Sequence, residues 1–308
     1  MMRKQFDRRD FVKSMIALPA LAVVNKSYPR AMQGQDDSTI LNPCRLKTSL
    51  NAFSFNDGLL KGSFSLDDLL EYAADKCFEA VDLTAYYFPG YPQVPPDSYL
   101  YDIKRKAFLS GLEISGTGIR NNFTDPDENK RKADFELIKN WIVAASKMGI
   151  PVIRVFAGQP AEKNYDRVKI LEWMIRDIYE CIEFGKDHGV VVGIQNHNDF
   201  IQTADQAREI VDRVKSDWFG LILDTGSFRN GDPYEEIRKT APLAVNWQIK
   251  KTVFVDGKEE PVNLNKLLGI IRGSGYRGYL PIEILPPDDP RLAIPGFLKK
   301  LKKAMQNK

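Results

Sequence analysis

Four polar side chains that could bind a cation or hydrogen-bond a polar ligand follow apolar stretches in the second half of the chain. Gln195 ends VVVGIQ, Asp224 ends GLILD, and Gln248 and Glu283 lie in AVNWQIK and YLPIEIL. An ionised carboxylate in apolar surroundings needs a cation or several hydrogen bonds, because burial of a bare charge is costly. The four residues therefore predict a polar site at the ends of successive buried strands.

Two further residues share faces with this set. Side chains two apart on a strand point to the same side, so His197 points with Gln195, and Lys250 points with Gln248. Any one of these residues could serve only the structure, as a strand-end ion pair or a barrel amide. Their coincidence on four successive strands favours a functional site.

Eight short apolar or β-branched stretches would position these residues. Helical patterns separate them, and most of these helices end at a glycine. Such repeated βα units predict an α/β protein with the (β/α)8 TIM barrel fold, whose chemistry lies at the carboxyl ends of the strands. A doubly wound sheet is the alternative, but no G-x-G-x-x-G follows the first strand. The predicted strands span residues 46–55, 80–88, 112–119, 152–158, 190–196, 220–226, 244–250 and 279–285.

The first 45 residues predict export. Arg8 and Arg9 precede an apolar segment, Met15–Val24, that is too short to span a membrane in the mature protein. The pattern resembles a twin-arginine signal, so residues 1–26 are interpreted as a signal peptide that directs the protein to the periplasm. A frayed N-terminal helix is the alternative. Residues 27–45 are interpreted as a linker, and residues 46–305 as the barrel.

Composition excludes some partners. With 44 basic and 41 acidic residues the net charge is +3, which provides no basic surface for nucleic acid. The cysteines Cys44, Cys77 and Cys181 have no metal-binding spacing. Cys77 and Cys181 lie in apolar helix patterns that predict buried thiols. The oligomeric state does not follow from the sequence.

The motifs IQNHN, LDTGSF, NWQIK and PIEIL resemble those of the xylose isomerase-like TIM barrel family. The resemblance implies a divalent metal held by Glu, Asp, His and Glu on strands five to eight. These positions map to Gln195, Asp224, Gln248 and Glu283. Two neutral amides therefore replace a carboxylate and an imidazole. Four oxygen donors with two charges favour Mg²⁺, Mn²⁺ or Ca²⁺ over Zn²⁺. Alternatively, no metal binds and the amides hydrogen-bond a sugar directly.

The resemblance also implies the reaction. Family epimerases use the glutamates of strands five and eight as a pair, but Gln195 cannot abstract a proton. With Glu283 as the single base and His197 or Lys250 as the proton donor, we expect an isomerase or epimerase that acts on a small carbohydrate. The reaction would take place next to a carbonyl through an enediolate, assisted by a metal. Export favours a free or oxidised sugar over a sugar phosphate. The alternatives are a lyase or hydratase acting on a 3-keto-glycoside and a non-catalytic carbohydrate-binding barrel.

Four other residues are candidates for substrate binding. Tyr86 and Tyr87 could stack on a sugar ring, unless their loop only packs on the barrel rim. Arg154 could clamp a hydroxyl or carboxylate, or it could neutralise Glu283. Asn196 is expected to support the site from the helix-facing side. Asp82, with Asn51, is expected to face the barrel interior as part of a polar layer.

Overall fold

The computed structural model describes residues 46–159 and 166–306. The predicted signal peptide and linker, together with Cys44, lie outside the described residues. No helix within the described ranges is both long enough and apolar enough to cross a membrane.

Eight parallel strands close into a barrel. The first strand pairs with the last, Leu50 opposite Ile282, which closes the sheet. All eight predicted strands are present, so the predicted (β/α)8 fold is confirmed. The barrel strands are β1 Lys47–Asn51, β2 Ala80–Asp82, β3 Glu113–Gly118, β4 Val152–Phe156, β5 Val191–Gln195, β6 Phe219–Asp224, β7 Ala244–Lys250 and β10 Tyr279–Glu283. Around the barrel they follow one another in the order β1-β10-β7-β6-β5-β4-β3-β2.

Helices connect the strands. Local sequence sets their ends. Ser65 and Asp68 form a capping box at the start of the helix Leu66–Asp75, and Gly149, with a φ of 75°, ends the helix Glu128–Met148. The helices are α1 Asn56–Lys61, α2 Leu66–Asp75, α3 Asp97–Leu109, α4 Glu128–Met148, α5 Arg167–Asp187, α6 Ala204–Val214, α7 Pro233–Thr240, α8 Leu264–Gly273 and α9 Pro290–Gln306.

Two of the predicted strands extended too far. The first was predicted through residue 55, but the chain turns into a 3-10 helix at Ala52–Phe55. The side chain of Asn51 causes this turn by accepting a hydrogen bond from the backbone N–H of Phe53 at 2.8 Å. The second predicted strand stops at Asp82, and a 3-10 helix follows at Ala85–Tyr87. In both places the chain leaves the barrel sheet just after the carboxyl end of the strand.

A β-hairpin that was not predicted follows β7 immediately. Its strands are β8 Thr252–Val255 and β9 Lys258–Pro261, which pair antiparallel. Asp256 and Gly257 form the turn with φ values of 48° and 79°. An Asp-Gly pair between short extended segments is a strong hairpin signal, so the sequence contained the information.

The two described cysteines differ in burial. Cys181 is buried in α5, as predicted. Cys77 is exposed, because α2 ends before it and the residue has a φ of 56°. The prediction of a buried Cys77 was therefore wrong.

Close packing at Gly220 yields a stability prediction. A Cβ on this β6 residue would lie 2.4 Å from Cγ1 of Val245 and 2.7 Å from the backbone oxygen of Leu243. Since a backbone oxygen cannot swing away, Gly220→Ala should lower the free energy of unfolding by about 1–3 kcal/mol. Urea denaturation followed by circular dichroism measures this. Gly269→Ala is the matched control: its Cβ would meet no atom, and it should stabilise α8 by up to about 1 kcal/mol. Equal effects would contradict the packing argument.

Candidate active site

A cavity of about 430 Å³ lies at the carboxyl ends of the barrel strands. Six of its lining residues are the last residues of their strands, which fixes its place in the fold: Asn51, Phe156, Gln195, Asp224, Lys250 and Glu283. This is the end at which TIM barrels place their chemistry. Gln248 and His197 line the same cavity, so every residue predicted to be catalytic or to bind metal is brought together here.

An ammonium group between two carboxylates forms the most highly charged part of the cavity. Nζ of Lys250 lies 3.3 Å from Oδ2 of Asp224 and hydrogen-bonds to Oε1 of Glu283. The three side chains are only 8%, 2% and 6% exposed. Burial lowers the pKa of Lys250, but the charges of Asp224 and Glu283 and their hydrogen bonds outweigh it and raise the pKa above its ordinary value. Lys250 is therefore a charged group at neutral pH.

The two amides are connected to this charge cluster. Nε2 of Gln195 donates to Oδ2 of Asp224 at 2.9 Å and to Oε1 of Gln248 at 2.6 Å. Asp224 also accepts a hydrogen bond at Oδ1 from the backbone N–H of Gly226, at 2.9 Å. Both oxygens of Asp224 are thus engaged. The carboxylate acts here as an acceptor that organises its neighbours.

Asn196 does not line the cavity, which corrects its assignment to substrate binding. Its side chain is fully buried. Oδ1 accepts from the backbone N–H of Asp224 at 2.9 Å, and Nδ2 donates to the backbone oxygen of Asp224 at 3.0 Å. Both ends of the amide are therefore used to tie the end of β5 to the end of β6. Its role is the support from behind the site that the strand alternation indicated.

Arg154 and Tyr86 form part of one wall. Arg154 stacks on the ring of Phe156, with 4.0 Å between the guanidinium carbon and the ring centre, and donates to the backbone oxygen of Ile119 at 3.2 Å. Both Arg154 and Tyr86 line the cavity. Tyr87 does not: its hydroxyl donates to Oδ1 of Asn56 at 2.8 Å. The prediction that Tyr87 contacts substrate is corrected, because its hydroxyl is held outside the cavity.

His197 is the most exposed of the predicted catalytic residues. Its side chain is 52% exposed, and Nδ1 lies 3.6 Å from Oδ2 of Asp199. The ring packs edge-on against Phe156, with 4.7 Å between ring centres. His197 therefore lies at the mouth of the cavity, where it can contact the outer part of a ligand.

Sequence reasoning missed the hairpin's contribution to the cavity. Thr252, Phe254 and Glu259 of the hairpin line it, as does Arg229, which stacks on Phe254 with 4.8 Å between the guanidinium carbon and the ring centre. The Asp-Gly turn could have revealed the hairpin. No pattern in the sequence indicated which way it folds.

Asp82 lies in the barrel interior and does not line the cavity. Its Oδ2 would be 2.7 Å from a Cβ at Gly116. Burial raises the pKa of Asp82, the charge of Arg154 opposes this shift, the charge of Glu283 adds to it, and the resulting pKa is about 7. The inward orientation predicted for Asp82 is thus seen, and its carboxyl group ionises near neutral pH.

Comparison with known proteins settles the family. The sequence model of the xylose isomerase-like TIM barrel family matches residues 70–301, which is more than half of the chain. The chain belongs to the xylose isomerase-like TIM barrel family. The resemblance inferred from the strand-end motifs is thereby confirmed.

One protein related in sequence and two solved structures resemble this chain at low sequence identity. The inosose isomerase of Halalkalibacterium halodurans is 22% identical over 250 residues, which is 76% of this chain and 87% of that protein. The D-psicose 3-epimerase of Clostridium cellulolyticum superposes with a TM-score of 0.69 at 15% identity, covering 85% of this chain and 100% of the other. The 3-keto-D-glucoside 4-epimerase of E. coli gives 0.66 at 15%, covering 84% and 99%.

The divalent metal that the family resemblance implies does not fit the residues present. Among the described residues there is no group of three or more His, Cys, Asp or Glu side chains that could hold a metal ion. Two of the four positions are neutral amides, and Lys250 already lies between the two carboxylates. We therefore derive no chemical step through a metal.

The buried Asp82 yields a pH-dependent prediction. Its pKa is higher in the folded protein than the ordinary aspartate value, so its contribution to stability is present below that ordinary value and is lost as the pH rises through about 7. Relative to Asp82→Asn, the wild-type protein should lose about 3–5 kcal/mol of unfolding free energy between about pH 4 and about pH 8. Urea denaturation at both pH values measures this, and an unchanging difference would contradict it.

Proposed function

We propose that the protein is a sugar isomerase or epimerase that removes a proton next to a carbonyl and passes through an enediol or enediolate. The observation that carries this proposal is the pairing of Glu283 with the buried ammonium of Lys250 in the cavity. A base and an adjacent cation are the two groups that such a proton abstraction requires.

Glu283 is the better base of the two carboxylates. Asp224 accepts hydrogen bonds from Gln195, Lys250 and a backbone N–H, so neither of its oxygens is left for a substrate proton. Within the described part of the chain, Glu283 has only Lys250 as a hydrogen-bond partner, and that bond uses Oε1. Oε2 is then the atom that takes the proton from the carbon.

Lys250 and the amides stabilise the charge that develops on the substrate oxygen. As the proton leaves, negative charge moves onto the former carbonyl oxygen, and a fixed ammonium in a low-dielectric cavity stabilises it strongly. Gln195 and Gln248 hydrogen-bond to each other beside the ammonium and can redirect to hydroxyl groups. Glu283 then returns the proton to the neighbouring carbon while the proton of the adjacent hydroxyl moves to the former carbonyl oxygen, so that the hydroxyl carbon becomes the new carbonyl, as an aldose–ketose isomerisation requires. Epimerisation would require a donor on the opposite face, a role available to His197.

The cavity walls suit a sugar. Arg154, Asn51 and His197 offer hydrogen-bonding groups, while Tyr86 and Phe254 offer aromatic surfaces on which the apolar side of a pyranose can stack. The relatives support the same class, since one is an inosose isomerase and another a 3-keto-D-glucoside 4-epimerase. We propose a free or oxidised sugar as the substrate.

The functional test is Glu283→Gln, which keeps the shape of the side chain and removes the base. With a panel of ketoses, aldoses, inososes and 3-keto-glucosides as substrates, kcat should fall by about 10²–10⁴-fold while substrate affinity is retained. Chromatography of the products and calorimetric titration measure the two quantities. Glu260→Gln, on the exposed part of the hairpin and outside the cavity, is the matched control and should turn over normally.

The outcomes separate the functional classes. If the wild-type protein binds a sugar but turns over none of the panel, the protein is a binding barrel and the proposal fails. If a 3-keto-glucoside is converted with loss of its aglycone, the protein is a lyase. If Glu283→Gln retains normal turnover, another group is the base.

We further propose that the protein is exported through a twin-arginine signal, on the strength of Arg8 and Arg9 before the apolar segment Met15–Val24. In a Gram-negative host, the double variant Arg8→Lys/Arg9→Lys should remain in the cytoplasm, whereas the unaltered chain should reach the periplasm. Cell fractionation followed by immunoblotting measures this. Equal distribution of the two proteins would contradict export by this route.

A further inference from the structure

We propose that Lys250 is the permanent cation of this site, and that its ammonium group takes the place of the divalent metal ion expected from the family resemblance. The proposal concerns the same site as the proposed function and rests on that function only for the chemistry that the cation assists. Its structural content, whether a metal ion can enter, is measurable without any substrate.

The first argument is the charge balance. Asp224 and Glu283 contribute two negative charges and Lys250 one positive charge, all within a cluster that is almost fully buried. A divalent ion added beside the ammonium would leave three positive charges against two negative ones. Like charges repel strongly at such short range in a low-dielectric interior, and burial of unpaired charge is costly. The cluster therefore accepts either the ammonium or a divalent ion, and the chain supplies the ammonium covalently.

The second argument is that Asp224, Glu283 and Gln248 each already use a ligand oxygen to accept a hydrogen bond within the cluster. Oδ2 of Asp224 accepts from both Lys250 and Gln195, Oε1 of Glu283 accepts from Lys250, and Oε1 of Gln248 accepts from Gln195. Gln195 directs its NH₂ group, a donor, into the cluster. An N–H group cannot coordinate a cation. Replacement of the family's carboxylate by Gln195 thus provides hydrogen bonds in place of a metal ligand.

The third argument is that Lys250 is held in place. Its backbone N–H donates to Oγ1 of Thr225 at 2.9 Å. Its Cγ packs so closely on Gly226 that a Cβ on the glycine would lie 2.7 Å away. Lys250 also pairs directly with Glu283 in the barrel register. The strand position and the packed stem together hold the ammonium between the carboxylates.

The test is Mn²⁺ binding, followed by electron paramagnetic resonance of the free ion and by metal analysis after dialysis. Lys250→Met removes the charge and keeps the length of the stem, so it should bind Mn²⁺ on the order of tenfold or more tightly than wild type. The added variant Lys250→Met/Asp224→Asn should lose this gain. Lys251→Met is the matched control: Lys251 pairs with Asp288 outside the cavity, and its variant should behave like wild type. Lys250→Arg, which keeps a cation, should also behave like wild type.

Three results would overturn the proposal. One is near-stoichiometric Mn²⁺ retained by the wild-type protein and lost in Asp224→Asn. Another is a folded Lys250→Met, verified by circular dichroism, that gains no affinity for Mn²⁺. The third is a wild-type turnover that chelator abolishes and Mn²⁺ restores. If no sugar in the panel is converted, the proposed reaction fails while the Mn²⁺ measurements still decide the role of Lys250. If Lys250→Met does not fold, the wild-type measurement decides alone.

Discussion

The buried ion cluster of Asp224, Lys250 and Glu283 is the interaction on which the rest of the site depends. Such a cluster is stable only when its charges balance closely and its remaining hydrogen-bonding atoms are satisfied. Three adjacent barrel strands supply one member each, β6, β7 and β10. Parallel strands end at the same rim, so the fold brings the three groups together from strand positions, without flexible loops.

The surrounding residues maintain this balance. Asn196 ties the backbone at Asp224 to the end of β5, and Thr225 ties the start of the next loop to β7 through the backbone oxygen of Gln248. Gly226 lets the stem of Lys250 approach the loop. Each of these residues touches the backbone or the stem and leaves the charged ends facing the cavity. The precision of the site therefore resides in a layer of backbone contacts behind it.

Periodicity and strand-end motifs were sufficient to predict the barrel, its eight strands and the six residues predicted to be catalytic or to bind metal, which meet in the cavity. The sequence could not distinguish Tyr86 from Tyr87. The end of the predicted second strand is a 3-10 helix, and this turn decides which of the two rings lines the cavity. Nor could it show that Lys250 bridges two carboxylates. That contact joins residues 33 positions apart and depends on register across neighbouring strands. The pKa of Asp82 likewise depends on burial, which no local pattern reveals.

The hairpin β8–β9 begins two residues after Lys250, yet it forms a two-stranded sheet separate from the barrel. Its residues Phe254 and Glu259 line the cavity, and among the described residues no ion pair joins the hairpin to the cluster of Asp224, Lys250 and Glu283. Substitutions in the hairpin can therefore leave the ion cluster unchanged. Exchanging the hairpin would reshape the part of the pocket that selects a ligand while leaving the charge balance intact. Diversification of substrate preference within one ancestral chemistry is the evolutionary route that this separation opens.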